Sequence, residues 1–73
     1  MDIEQIRDAN NAVPFRPYEL HRTDGKIAYV AHPDFIALSA RGTHVVVINP
    51  DNRTETIDVR QIVALHSVAN AEA

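Results

Sequence analysis

Residues 18–30 read YELHRTDGKIAYV, with two short segments on either side of an Asp-Gly pair. In the first segment apolar and polar side chains alternate, which is typical of a strand that buries one face. Asp24-Gly25 indicates a short hairpin turn, because both residue types tolerate the positive φ that such turns require. A two-residue turn pairs Leu20 with Tyr29 and brings the apolar faces of the two strands together. The residues predicted to face inward are Tyr18, Leu20, Ile27 and Tyr29.

A short helix is predicted before this hairpin, over residues 2–11. Asp2 is suited to cap the helix, with Gln5 as the reciprocal partner of a capping box. Isoleucines at positions 3 and 6 recur at helical spacing, and Pro14 prevents continuation. A helix this short is unstable alone in water. We therefore expect it to pack against the strands.

Turn residues divide the rest of the chain into short segments. The predicted strands are residues 18–23, 26–31, 35–39, 43–49, 54–58 and 62–68. His32-Pro33-Asp34 predicts a corner or a single helical turn, because proline cannot donate to an interior ladder. A one-turn bend is predicted at residues 59–61 and a frayed tail at residues 69–73.

This arrangement predicts a mainly β (α+β) fold that forms one domain over residues 1–73. A short N-terminal helix is followed by a five- or six-stranded, strongly bent antiparallel sheet or a small, partly open β-barrel. Short strands at short intervals favour this class over a βαβ unit. The chain is too short for two full sheets, which favours the bent or barrel form.

Two segments are apolar on both faces of their predicted strands, VVVI at residues 45–48 and IVAL at residues 62–65. A half-exposed antiparallel strand alternates, whereas a continuous apolar run indicates that both sides are covered. The N-terminal helix offers only a narrow apolar stripe, too little to cover both runs. The sequence therefore predicts a homo-oligomer in which a second copy covers the remaining face.

Composition excludes several classes of protein. The 73 residues contain no cysteine, which excludes disulfides and thiolate metal sites. The formal net charge of −3 comes from interspersed acids and bases, which disfavours non-specific nucleic-acid binding. No apolar run approaches the length of a membrane span. The acidic start lacks the pattern of a signal peptide, so a cytoplasmic location is expected.

The sequence predicts no catalytic, metal-binding or cofactor-binding residues. The four histidines are His21, His32, His44 and His66, and none of them has the close spacing of a metal motif. In the predicted register, His21 and His32 share a face but lie about 13 Å apart along the strands. Ser39 and Ser67 lack a nucleophile elbow. No Gly-rich phosphate loop is present.

The basic residues provide a candidate interaction surface instead. Those near predicted turns are Arg22, Lys26, Arg41, Arg53 and Arg60. Arginine suits bidentate contacts with phosphate or carboxylate, and the turns of small barrels often carry binding. Stacking of bases on Tyr18 or Tyr29 is disfavoured, because both rings are predicted to face inward.

Three motifs carry a resemblance to a known family: PFRPYELH at residues 14–21, DGK at residues 24–26 and VAHPDF at residues 30–35. Together they resemble a family of short uncharacterised bacterial proteins. The resemblance continues through Gly42 and the run at residues 45–48 to Leu65. This family has no assigned activity, so the resemblance carries over no functional residues. The order of a helix followed by strands is also similar to Sm-like barrels, which form rings and bind RNA.

Taken together, these features predict a non-catalytic interaction module without cofactors that self-associates and binds another protein. The alternative is an Sm-like binder of RNA or single-stranded nucleic acid. Nucleic acid is the less favoured partner because of the acidic balance, and no membrane partner is expected. The sequence does not identify the protein partner.

Overall fold

The computed structural model describes residues 1–68 and shows one short N-terminal helix followed by six strands. The elements are α1 (Ile3–Asn10), β1 (Tyr18–Arg22), β2 (Ile27–Val30), β3 (Ile36–Leu38), β4 (His44–Ile48), β5 (Thr54–Asp58) and β6 (Ile62–Ser67). The strands form two antiparallel sheets of three, in the orders β2-β1-β6 and β3-β4-β5, with no closed barrel. The predicted mainly β class is confirmed. The expectation that the chain is too short for two sheets is wrong, because three short strands suffice for each sheet. The tail predicted for residues 69–73 lies outside the described residues.

Local sequence signals set the ends of α1. The Asp2 side chain accepts a hydrogen bond from the Glu4 backbone N–H, and Asn11 forms the C-cap. At the last turn the buried Tyr18 hydroxyl donates to Asn10 Oδ1 at 3.0 Å. Burial raises the pKa of this Tyr18 hydroxyl well above its usual value. The bond therefore ties the end of the helix to the start of β1.

Two 3₁₀ turns connect the sheets, at the positions predicted for a corner and a bend. Pro33–Phe35 links β2 to β3, and Val59–Gln61 links β5 to β6. His32 Nδ1 accepts from the Asp34 backbone N–H at 3.2 Å, and Asp58 Oδ1 accepts from the Arg60 N–H at 2.8 Å. Each turn is therefore capped by the residue before it.

The core lies between the two sheets and receives side chains from the helix. Its buried members are Ile3, Ile6, Tyr18, Leu20, Ala28, Val30, Ile36, Val45, Val47, Ile57, Val59 and Ile62. No helix among residues 1–68 has the length and apolar character that crossing a membrane requires.

The predicted register of the first hairpin is wrong by one residue. Leu20 pairs with Ala28, whereas Tyr29 lies opposite Glu19. The Arg22 backbone N–H donates to the Lys26 carbonyl at 3.0 Å, so the loop spans the three residues 23–25 instead of a two-residue turn. A shift of one residue moves a strand's side chains to the other face. Ile27 and Tyr29 consequently point outward and are 52% and 38% exposed.

The apolar run at residues 62–65 is explained in part by a β-bulge. Ala64 lies opposite His21 and Ile62 opposite Arg22, so Val63 is an extra residue in the ladder. Ile62 is buried, but Val63 is 61% exposed. Residues 1–68 therefore leave the outer side of this run open at Val63, and its cover by a second copy stays a prediction.

The other apolar run, at residues 45–48, alternates in its burial. Val45 and Val47 belong to the core, and Val46 and Ile48 are half-buried on the outer side of β4. The helix contributes two isoleucines to the core. The outer side of this run is thus only partly covered by residues 1–68, and a covering second copy stays a prediction.

Candidate functional site

The outer side of the β2-β1-β6 sheet gathers histidine, carboxylate and exposed apolar side chains; we call it the histidine face. Its members are Glu19, His21, Ile27, Tyr29, Val63, Ala64 and His66. They share a face because side chains alternate along a strand and cross-strand partners lie on the same side. Tyr29, Glu19 and His66 form one cross-strand row. The bulge in the edge strand β6 adds Val63 to this face.

Three potential metal ligands meet at the centre of this face. His21 Nε2 lies 3.0 Å from Glu19 Oε1, and the His21 and His66 ring centroids are 4.3 Å apart, tilted by 44°. One ligand atom from each residue lies within 4.8 Å of the others. Glu19 and His21 are half-buried, whereas His66 is exposed. Two imidazoles and a carboxylate are donors that zinc uses in proteins.

The sequence did not predict this cluster, because the predicted register placed His32 on the same face as His21 and gave no pairing of His21 with His66. The relevant neighbour, His66, is 45 residues away and reaches His21 only through pairing of β1 with β6. His21 occupies an outward position of its predicted strand, but the side on which His66 lies is set by the bulge in β6, for which the sequence offered no signal. No local motif specifies which strands pair, so the spacing of histidines carried no information about the cluster.

Apolar side chains surround the cluster. Among residues 1–68 the exposed large hydrophobic side chains are Val13, Ile27, Tyr29, Phe35 and Val63. Three of these five, Ile27, Tyr29 and Val63, lie on the histidine face. Isolated exposed apolar residues are common, but a group on one face indicates a contact surface.

The five predicted basic residues do not form one surface. We call the segments that carry them the basic turns. Hydrogen bonds from Thr23 N–H to the Gln61 carbonyl and from Val59 N–H to the Thr43 carbonyl draw two of the loops to the β5–β6 connection. Arg22, Lys26, Arg41 and Arg60 lie in or beside these segments. Arg53 lies in the β4–β5 turn, at the far end of β4.

Three of these five basic side chains already form ion pairs with acidic residues. The Arg22 side chain is only 12% exposed and forms an ion pair with Glu55 of the other sheet. Arg60 contacts Asp58 at 2.8 Å and Arg53 contacts Asp51 at 3.5 Å. Lys26 and Arg41 are exposed. The arginines therefore form local ion pairs and leave little uncompensated positive charge.

A cleft of about 260 Å³ lies beside the β5–β6 connection. It is lined by Met1, Gly42, Thr43, Asp58, Val59 and Arg60. This volume lies below the ~300 Å³ at which ligand pockets usually begin. Its two charged side chains, Asp58 and Arg60, bind each other. The cleft is therefore a weaker site candidate than the histidine face.

The Asp58–Arg60 pair predicts a pH dependence of stability. The side-chain hydrogen bond from Arg60, followed by that of its backbone N–H, lowers the pKa of Asp58 to about 2. A lowered folded-state pKa stabilises the fold above the ordinary value near 3.9, and this contribution is lost as pH falls through 2. Asp58→Asn keeps the cap but removes the charge. Its urea midpoint should lie below that of the wild type at pH 7 and converge with it near pH 2. A constant difference across this range would contradict the assignment.

Comparisons with protein-family models, with curated proteins and with solved structures found no match for this chain. The features of the chain that bear on function are therefore the histidine face and the basic turns.

Proposed function

We propose that this chain is a non-catalytic interaction module that pairs with a second copy of itself through the histidine face and binds another protein. The observation that carries the proposal is the grouping of Ile27, Tyr29 and Val63 on one sheet face. We propose that the exposed side chains of Lys26 and Arg41 contact this second protein. Their chemistry suits an acidic partner surface.

The composition of the face favours a second copy as its occupant. Glu19 is its only acidic residue, and its seven members include no lysine or arginine. The Glu19 carboxylate is half-buried and accepts a hydrogen bond from the His21 ring. Interface centres are poor in charge and rich in aromatic residues. A two-fold axis places the same apolar patch on both sides of the contact.

The expected pairing is weak. Each copy contributes only three half-exposed apolar side chains to the contact, whereas a stable interface contains about 20–30 residues from each partner. We therefore expect a weak dimer that forms at roughly millimolar protein concentration.

The ion pairs support a protein partner over nucleic acid. Nucleic-acid binding depends on basic side chains that are free to neutralise phosphates. Arg22, Arg53 and Arg60 each contact a carboxylate of the chain. A gel-shift assay with short RNAs tests the Sm-like alternative. RNA binding that weakens steeply with salt would favour that alternative over the interaction module.

Self-association is tested with two matched substitutions of exposed valines. Val63→Glu places a charge on the histidine face, and Val13→Glu places the same charge outside it, at a side chain that is 95% exposed. Sedimentation velocity over a range of concentrations should show a monomer–dimer equilibrium for the wild type and for Val13→Glu. Val63→Glu should stay monomeric throughout.

One control makes this result interpretable. Circular dichroism should show that Val63→Glu keeps the β-rich fold, because Val63 lies at an exposed bulge. A wild type that stays monomeric at millimolar concentration, or a Val63→Glu variant that dimerises as well as Val13→Glu, would refute the proposed interface.

A further inference from the structure

We propose that Glu19, His21 and His66 bind one Zn²⁺ ion per chain at the centre of the histidine face. The inference goes beyond the proposed function, because it needs only one copy of the chain. It rests on the convergence of three ligand atoms within 4.8 Å of one another.

The donor set selects the class of ion. Imidazole nitrogen suits zinc and other first-row transition metals, whereas magnesium and calcium prefer oxygen ligands. The absence of cysteine leaves histidine and carboxylate as the zinc ligands that this chain offers. Two histidines and one glutamate form one of the ligand sets found in zinc sites.

The present distances are close to those that an ion requires. Tetrahedral zinc with bonds of about 2.0–2.1 Å places its ligand atoms about 3.4 Å apart. The separation of His21 Nε2 and Glu19 Oε1 is 3.0 Å, and no pair in the cluster exceeds 4.8 Å. The separations of the ligand atoms therefore differ from the spacing around zinc by no more than about 1.4 Å.

The sheet holds the three positions in a fixed arrangement. Glu19 and His21 are two residues apart on β1, so their side chains project on the same side. His66 on β6 lies directly opposite Glu19. Glu19 and His21 are half-buried and already in contact, which lowers the conformational entropy lost on binding. Within residues 1–68, the described ion-pair partner of Glu19 is His21, and no lysine or arginine competes for the carboxylate.

The site is accessible and incomplete. His66 is exposed, so an ion can enter directly from solvent. Three protein ligands leave a fourth position of zinc for water or for a group from a bound partner. The cluster therefore corresponds to an open zinc site.

The test is a calorimetric titration of the full chain with zinc chloride, after removal of any histidine tag. The wild type should bind one ion per chain. His66→Ala removes an exposed ligand and should weaken binding at least about 100-fold, because loss of even an indirect partner of a metal ligand costs 10–100-fold. The matched control is His44→Ala, which removes an exposed histidine of β4 that lies outside the cluster. It should bind zinc as the wild type does.

A second measurement locates the ion. Nuclear magnetic resonance of the imidazole nitrogens should show zinc-induced shifts for His21 and His66, with His32 and His44 unchanged. Glu19→Gln, which keeps a hydrogen-bonding side chain, should weaken the affinity at least about tenfold. The proposal is overturned if the wild type takes up no zinc, if His66→Ala and His44→Ala bind equally well, or if the shifts fall on His32 or His44. Working at low micromolar protein keeps the chain monomeric, so this result is independent of self-association.

Discussion

Leu20→Ala is expected to lower the free energy of unfolding by about 3 kcal/mol, within the 2–5 kcal/mol typical of buried leucines. Leu20 is fully buried in the middle strand of its sheet, between Ala28 of β2 and Leu65 of β6. Small neighbours such as Ala28 cannot fill the cavity that remains. A chain of this length has a total stability of about 4–11 kcal/mol. The substitution therefore removes a large share of it.

Urea denaturation followed by circular dichroism measures this loss. The matched control is Ile27→Ala, which truncates an aliphatic side chain of the same hairpin that is 52% exposed. Its stability at low protein concentration should change by less than about 1 kcal/mol. If Ile27→Ala proved as destabilising as Leu20→Ala, the hairpin register of Leu20 with Ala28 would be wrong, and the histidine face would not exist.

Gly42→Ala should have the second-largest effect on stability, about 2–3 kcal/mol. Gly42 has φ of +75°, a conformation that costs an L-residue about 1–2 kcal/mol. A Cβ atom there would also lie 2.9 Å from Ile3 Cγ2, so the buried start of the helix would have to move. Both effects destabilise the folded state.

Gly25→Ala separates these two causes. Gly25 has a similar φ of +85°, but a Cβ atom added there would have no neighbour within 4 Å. Urea denaturation should show a loss of only about 1–2 kcal/mol for Gly25→Ala. Equal losses for the two variants would mean that α1 does not pack against the β3–β4 turn.

The elements of this fold could be predicted from local sequence signals. Asp2 and Pro14 bracket the helix, and alternation and turn residues mark the six strands. Both 3₁₀ turns follow from a short polar cap, His32 or Asp58, at the preceding position. Such signals act over a few residues, so they can be read directly from the chain.

The pairing of these elements could not be predicted equally well. Asp24-Gly25 suits loops of several lengths, and the choice of a three-residue loop decided whether Tyr29 points inward or outward. The bulge at Val63 depends on the fit of β6 against β1. The meeting of His21 with His66 depends on the same contact between distant segments. The candidate site was therefore hidden, although its strands were correctly predicted.

The hairpin register and the bulge have one functional consequence. The hairpin register exposes Ile27 and Tyr29 on β2, and the bulge exposes Val63 on β6, the other edge strand of the sheet. We propose that the side of the β2-β1-β6 sheet on which they lie is the functional surface of the chain.

The most direct test of this claim is a dilution series followed by ¹H–¹⁵N correlation spectra, from millimolar to low micromolar wild-type protein. Concentration-dependent shifts should concentrate at Glu19, His21, Ile27, Tyr29 and Val63. Shifts confined to the outer side of the β3-β4-β5 sheet or to the basic turns, or spectra that do not change with concentration, would contradict it.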